Sequence, residues 1–544
     1  MIGWRTVFGL FSVILALSVH AADFDLVIRH GTIIDGTGNP RAAGDIGIKD
    51  GRIVAVGDVK GEATIEIDAA GQIVAPGFID VHTHADTDLY RLPQAENFVR
   101  DGVTTIVCGN CGGSVLHPRE YFEHLKKNGV AINVATLIGH NSVLREVKGD
   151  KAGDLTPEQM TRAKGIVRQA MFEGAVGFST GLIYTPGQFS STEEIIELQK
   201  VAAGMGGIYA THMRSESGSV MEAIDEALRI GREAKCRVEI SHFKLPHTVA
   251  MKMGSDSTLK KVLAAREAGQ DVWLDQYPYT ASSTSISTLL PDWVLEKGGD
   301  EAKKTLRDSV GLRRALDDMR QNFESSRARK DMSYVVIASC RGFPQYAGLN
   351  LKQIAIARKQ EATTRELLQT SGSASNVTME DQYRAAIDIY VAGGASCVFH
   401  TMDEQEVETI MKSSIVSIAS DSGVRQFGRD VPHPRGYGTN TRVLGRYVRE
   451  RKIITLEDAV RKMTSQPALV FGFKDRGAIK VGNRADITIF DADKVIDKAT
   501  FDKPHQYPEG IDAVLVNGKV VFEKEKMTDA LPGMPLYGPA YVAK

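Results

Sequence analysis

The sequence is poor in cysteine and tryptophan, and neither charge sign dominates it. Its five cysteines, Cys108, Cys111, Cys236, Cys340 and Cys397, are odd in number and dispersed. That excludes a disulfide framework and leaves at least one free thiol. Cys108 and Cys111 form a C-x-x-C, but no thioredoxin-like surroundings accompany it. Lysine and arginine number 66 against 68 aspartate and glutamate, a net charge of −2 with both signs mixed along the chain. No basic stripe suggests nucleic acid and no acidic tail suggests a solvating arm, so the expected ligand is a small molecule. Beyond residue 22 no apolar run approaches the roughly 20 residues a membrane-spanning helix requires. Internal repeats and low-complexity tracts are also missing.

What is present begins with an address. Arg5 precedes an apolar stretch at residues 7–19, followed by the small-residue sequence Val19-His20-Ala21-Ala22. Residues 1–21 therefore read as a signal peptide, too short to span a bilayer comfortably, and the protein is expected to be exported, periplasmic or secreted, with no stable membrane insertion after cleavage. The remainder of the 544 residues, 42% hydrophobic in composition, suffices for one large domain and a smaller one.

Short apolar runs broken by glycine and aspartate fill residues 22–74. The same style returns at 480–544, as in Ile487-Thr488-Ile489-Phe490 and Ala513-Val514-Leu515-Val516 before Asn517-Gly518. Neither end has enough strands to bury a face alone, so the two are expected to pair in a small β-sandwich domain. Between them, strand-like runs alternate with helical stretches. Residues 175–179 and 208–212 read as strands; residues 192–205 and 220–234 read as helices. Thr156-Pro157-Glu158-Gln159 offers a capping box with proline at the first helical position, and Thr192 precedes Glu193 and Glu194 at another start. Such alternation implies an α/β fold with parallel βα units. Residues 75–479 fit a (β/α)8 TIM-type barrel, with an inserted cover segment at about 282–346, where the strand rhythm lapses.

His82 and His84 follow the apolar run Ile73-Val74-Ala75-Pro76-Gly77-Phe78-Ile79-Asp80. At i and i+2 of a strand both imidazoles share a face and can reach one cation. Four further residues close strand-like runs: Cys111 after Thr104-Thr105-Ile106-Val107, His212 after Ile208-Tyr209-Ala210-Thr211, His242 after Val238-Glu239-Ile240-Ser241, and Asp421 after Val416-Ser417-Ile418-Ala419-Ser420. In a barrel such ends converge on one face, so residues hundreds apart can share a metal. Imidazole with thiolate favours Zn²⁺ over magnesium or calcium. Three protein ligands with one open position define a catalytic zinc, whose bound water has a pKa of about 7. A carboxylate such as Asp421 could take a proton from that water and pass it to a leaving amine.

The motifs Pro76-Gly77-Phe78-Ile79-Asp80-Val81-His82-Thr83-His84, Gly109-Asn110-Cys111-Gly112, Thr211-His212-Met213-Arg214-Ser215-Glu216, Ser241-His242-Phe243-Lys244, Tyr277-Pro278-Tyr279 and Pro432-His433-Pro434-Arg435 occur in order along the chain. In combination, and over nearly all of the chain after residue 21, the sequence resembles the D-aminoacylase (N-acyl-D-amino-acid deacylase) family of the amidohydrolase superfamily. The resemblance implies hydrolysis of the amide of N-acyl-D-amino acids. It implies a tight zinc on Cys111, His212 and His242, and a second, weak site made by His82 and His84 with Asp421 and a bridging Cys111. Asp421 matches the acid/base. Lys244, Tyr279 and Arg435 match positions that hold the substrate carboxylate, and Tyr184 lines the same pocket. Ser422 departs from the glycine the resemblance leads one to expect after Asp421, and the loop 422–432 is longer, which leaves side-chain preference open.

Other readings compete. A hydantoinase- or dihydroorotase-like hydrolase of cyclic amides needs a lysine at the end of the fourth barrel strand, where residues 175–180 have none; a bridging Cys111 is the apparent substitute. A deaminase would use a glutamate near a zinc histidine, and Glu216 lies four residues beyond His212. A non-catalytic binding barrel would not need all six candidate positions. His30, His117, His124, His247, His400 and His505 lack strand-end partners and read as structural or exposed, and His140 as part of a loop.

Overall fold

Gly77 divides the apolar run 73–80 between two sheets. In the computed structural model, which describes residues 22–326, 329–360 and 377–543, Ile73–Pro76 and Phe78–Asp80 are separate strands. The chain crosses Thr104 so closely at Gly77 that a Cβ there would lie 2.2 Å from the Thr104 side chain, which is why no other residue fits. The expected signal segment 1–21 lies outside the described residues. Among those described, no helix is long and apolar enough to cross a membrane.

On one side of this division, Ile73–Pro76 pairs antiparallel with Ile487–Phe490, with Thr488 opposite Ala75. Strands from both ends of the chain thereby join one nine-stranded sheet, running from Lys526–Met527 through Ile511–Val516 and Phe24–Ile33 to Arg52–Gly57. Its apolar face buries Leu26, Ile28, Ile46, Ile48, Ile487 and Leu515. Hydrogen bonds link these strands along one continuous path, with Phe24–Ile33 shared between Ala63–Asp68 and Ile73–Pro76.

On the other side the strands are parallel. Phe78–Asp80, Val103–Cys108 and Asn133–Thr136 form one group. Ile138–Gly139, Gly177–Gly181, Ile208–His212, Val238–Ile240, Val272–Gln276 and Val416–Ile418 form another. The chain from Asn133 to Gly139 links the two groups. Helices separate the strands, giving a mixed α/β architecture. The helix Val220–Ala234 shows why it packs there: Val220, Ala223, Ile224, Ala227, Leu228, Gly231 and Ala234 recur at helical spacing and are all buried. Burying each Ile or Leu completely contributes about 1.5–3 kcal/mol. The capping box at Thr156 and Gln159 is present. At the next helix the cap is Ser191, whose hydroxyl accepts from the Glu194 N–H, one residue before the expected start at Thr192.

The inserted segment runs past residue 346. Ser282–Ser285 and Val335–Ser339 both pair antiparallel with Ser396–Phe399, so this small sheet is completed only by a strand near residue 400. Its own core includes Leu316, Ile337, Leu351, Tyr383 and Ile387.

Candidate metal centre and active site

Parallel pairing sets the site, because it aligns strand ends. Gly181 stands opposite His212, Thr211 opposite Ile240 and Gln276 opposite Ile418. Three of the residues just past these ends hold the left-handed backbone region: Cys111 at φ 52°, His242 at φ 36° and Asp421 at φ 52°. Such conformations cost non-glycine residues about 1–3 kcal/mol each and persist where surrounding structure enforces them. Before Cys111, Gly109 turns at φ 77°, and a Cβ there would lie 2.3 Å from the Leu137 carbonyl oxygen.

All six strand-end residues come together. Cys111 Sγ lies 3.2 Å from His82 Nε2, 3.7 Å from His242 Nε2 and 3.8 Å from His212 Nδ1. His242 Nε2 and His212 Nδ1 are 2.7 Å apart. His84 Nε2 is 3.0 Å and His82 Nε2 3.6 Å from Asp421 Oδ1. Three overlapping sets could each hold a cation: His82, His84 and Cys111; Cys111, His212 and His242; and His82, His242 and Asp421. Cys111 belongs to two of them, the position a bridging thiolate would take. Tetrahedral zinc places its nitrogen ligands about 3.3 Å apart and a nitrogen–sulfur pair about 3.5 Å apart. The second set fits once its two imidazoles part by about 0.6 Å.

The electrostatics suit a cation. Burial alone would raise the Cys111 thiol, but His82 and hydrogen bonds from His212 and His242 hold it well below the usual thiol range. Burial would likewise raise Asp421, yet Arg435, His82 and His84 hold its carboxyl well below the usual carboxylate range. Arg435 Nη1 lies 2.9 Å from Asp421 Oδ2. Thiolate and carboxylate are thus both anionic and ready to ligate or to accept a proton. Cys108, three residues from Cys111, is different: it is buried, its thiol is pushed up, and all five cysteines are free.

Further side chains take part that the strand-end rule did not select. The Asp275 carboxylate accepts from the His242 main-chain N–H at 2.7 Å and faces His82 Nδ1 at 3.2 Å. Glu216, weighed from sequence only as a deaminase glutamate, lies 2.9 Å from His242 Nδ1 and 3.8 Å from His212 Nε2. Such carboxylates fix ring orientation behind a metal. Asp275 ends an apolar run, the pattern that revealed the others; Glu216 carries no comparable signal.

The expected substrate contacts are placed unevenly. Lys244 Nζ donates to Glu216 and lies 2.9 Å from His242 Nδ1, so it buttresses the ligands. Arg435 is held by His433, whose Nδ1 accepts its main-chain N–H at 3.0 Å. The Tyr184 ring lies 5.0 Å from that of His212, and its hydroxyl bonds Thr284 of the inserted sheet at 2.8 Å. Tyr279 is not turned to the centre. The bend at Pro278 sets its ring beside His433 and Phe501 with the Arg442 guanidinium 4.7 Å away. Tyr277 stands there instead, under Arg435 at 4.6 Å and Lys244 at 5.7 Å. His140 begins the helix His140–Lys148 rather than sitting in a loop, and faces Glu194 at 3.6 Å.

A sheet-end cluster of thiolate, imidazole and carboxylate defines a metallohydrolase class, and the sequence matches the amidohydrolase family over residues 66–289 and 351–522. The chain is 36% identical to an N-acyl-D-glutamate deacylase of Alcaligenes xylosoxydans xylosoxydans, over 92% of this chain and 93% of that protein. It is 33% identical to a D-aminoacylase of the same organism, over 94% and 97% respectively. The crystal structure of N-acyl-D-glutamate deacylase from Bordetella bronchiseptica, complexed with zinc and a phosphonate mimic of the tetrahedral intermediate, superposes with a TM-score of 0.78 at 33% identity, covering 95% of this chain and all of that one. The chain belongs to the amidohydrolase family, within its N-acyl-D-amino-acid deacylase branch.

Proposed function

We propose that the protein is a zinc-dependent hydrolase of N-acyl-D-amino acids that releases a carboxylate and a free D-amino acid. The observation that carries this is the convergence of Cys111, His212 and His242 beside Asp421, in a chain similar along most of its length to N-acyl-D-glutamate deacylase and D-aminoacylase. These three residues would hold the tight zinc; His82 and His84, sharing Cys111, would form a weaker site. When bound, zinc polarises the scissile carbonyl and acidifies a water. Asp421, kept anionic by Arg435, accepts the proton of the attacking water and returns it to the amide nitrogen as that bond breaks. Arg435 neutralises Asp421 and offers its remaining donors to the substrate carboxylate. Tyr184 and Tyr277 flank the centre and restrict water.

The same reading extends to architecture and address. The parallel bridge between Thr83 and Ser422 and the hydrogen bond from Asp421 N to His82 O, 2.9 Å, support closure of the parallel strands into a (β/α)8 barrel, with Asn133–Thr136 and Ile138–Gly139 counted as one strand. Residues 22–74 and 480–544 would form the accessory β domain, and the inserted cover would reach from 282 to about 399. Residues 1–21 would direct export and be removed. Cyclic amides are less favoured, since Gly177–Gly181 supplies no lysine.

The test is a panel of matched D and L N-acetyl amino acids and a hydantoin, with zinc-loaded enzyme. Release of D-amino acids alone is expected, and cleavage confined to L-isomers or hydantoin would refute the assignment. Asp421→Asn should retain zinc and lose turnover by at least about 1,000-fold. Cys111→Ala should lose the tight zinc, measured by metal content after dialysis.

A further inference from the structure

Asn141 follows His140 at the start of the helix His140–Lys148, and the hydrolytic steps give it no part. It is buried. Its Nδ2 donates to the Gly181 carbonyl at 3.4 Å and to the Tyr184 carbonyl at 3.2 Å. Carbonyls only accept, so the amide can stand only with its NH2 toward the loop that follows Gly177–Gly181. The Oδ1 packs against Gly112 and Gly187, where a Cβ would lie 2.8 Å and 2.3 Å from it. The next residue continues the contact, since Ser142 N donates to Gly112 O at 3.0 Å. Gly112 follows Cys111 directly. One buried side chain therefore sits between the turn that presents the thiolate and the loop that presents Tyr184.

That loop is joined to the metal ligands. Leu182 N donates to His212 O at 3.0 Å, and the Tyr184 ring lies 5.0 Å from the His212 ring. The Tyr184 hydroxyl bonds Thr284 at 2.8 Å, while Arg435 Nη2 lies 3.5 Å from the carbonyl of the adjoining Ser283. Tyr184 and Arg435 thus meet one strand of the inserted sheet at consecutive residues. Other donors grip the loop: Arg145 the Thr185 carbonyl at 2.6 Å, and Arg214 the Gln188 and Ser190 carbonyls at 2.7 and 3.0 Å. Both arginines are partly exposed. The Asn141 bonds are shielded from water, where a hydrogen bond is electrostatically stronger and an unpaired carbonyl costs more.

We propose that Asn141 is a positioning residue of the hydrolysis: by tying the Tyr184 loop to the Cys111 turn it sets the Tyr184 ring against His212 and so fixes one wall of the substrate space. It touches no reacting atom and acts through Tyr184. The catalytic half of this rests on the deacylase reading; the placement of the loop does not.

The experiment is a double-mutant cycle on zinc-loaded enzyme, joined to hydrogen exchange read by mass spectrometry. Asn141→Ala should lower kcat/KM for N-acetyl-D-methionine by about 10-fold, as two hydrogen bonds are lost. In a Tyr184→Ala background the same substitution should lower it no further. An equal loss in both backgrounds would show that Asn141 acts independently of Tyr184, and no loss in either would show that it does not position the site; each overturns the proposal. Exchange of the amides at 182–190 should quicken in Asn141→Ala while that of the accessory sheet stays as in wild type, and unchanged exchange at 182–190 would also overturn it. Gly187→Ala approaches the same contact from the loop side, and its Cβ should push the loop off Asn141 with the same two effects; it carries the test if Asn141→Ala does not fold. If wild type cleaves no N-acyl-D-amino acid, the deacylase reading fails, and the exchange measurement still decides whether Asn141 places the loop.

Discussion

Glu216 illustrates what a single residue contributes away from the reacting atoms. Burial would raise its carboxyl, but Lys244, His212 and His242 hold it well below the usual carboxylate range. It therefore stays anionic and pins His242 through Nδ1, leaving Nε2 directed to the metal position. Glu216→Gln keeps the shape and removes the charge. Zinc affinity, measured by chelator competition, should fall about 10- to 100-fold, while the zinc-saturated variant retains most of its kcat. Unchanged affinity would restrict Glu216 to pairing with Lys244. The same contacts explain what sequence could disclose at this scale. Cys111, His212, His242 and Asp421 could be selected because each closes an apolar run, a one-dimensional signal. Glu216 and Tyr277 could not, because their roles depend on which way a loop and a Pro278 bend turn their side chains. Asp275 did close such a run and could have been found.

At the scale of elements, the helix Arg435–Arg442 must present Arg435 to Asp421 although Gly438 interrupts its helical geometry. Asp101 repairs the interruption. Its carboxylate accepts from Asn440 N at 2.8 Å, Asn440 Nδ2 at 3.0 Å, Thr441 N at 3.0 Å and Thr441 Oγ1 at 2.7 Å. Asp101→Ala would strand those buried donors at a cost on the order of 3 kcal/mol. Urea denaturation should show the loss, and kcat/KM should fall as Arg435 loses its seat, with zinc content preserved. Full stability in the variant would mean that water replaces the carboxylate. Elements such as Val220–Ala234 and the Thr156 box were legible because local periodicity and capping dictate them. The division of residues 73–80 was not, since an apolar run does not say which sheet receives it; only the close passage of Gly77 past Thr104 settles that.

Across the whole molecule, the last described residues return to the strand that feeds the metal centre. Pro532 and Pro535 bridge Val130 and Val134 in parallel. Five main-chain hydrogen bonds fasten the segment: Gly533 N to Val130 O, Val134 N to Met534 O, Leu536 N to Val134 O, Gly538 N to Gly174 O and Val542 N to Phe172 O. At a net value near 1 kcal/mol each they contribute about 5 kcal/mol, before counting the apolar contact of Leu536 and the ring of Tyr537 on Phe122. The fastened strand is coupled to the site. Asn133–Thr136 pairs with Val103–Cys108, placing Thr136 opposite Cys108, and Leu137 N donates to Cys108 O at 3.0 Å just before the Gly109 turn into Cys111. No periodicity in residues 530–543 announces this docking, because Pro532, Gly533, Pro535, Gly538 and Pro539 interrupt it where backbones approach closely. Truncation after Asp529 should therefore do more than remove a tail. The melting temperature is expected to fall by several degrees, and zinc per chain should drop below that of the full-length protein as the Cys111 turn loosens. If the truncated protein melted at the full-length temperature and bound zinc in equal amount, the coupling between this segment and the metal centre would be refuted.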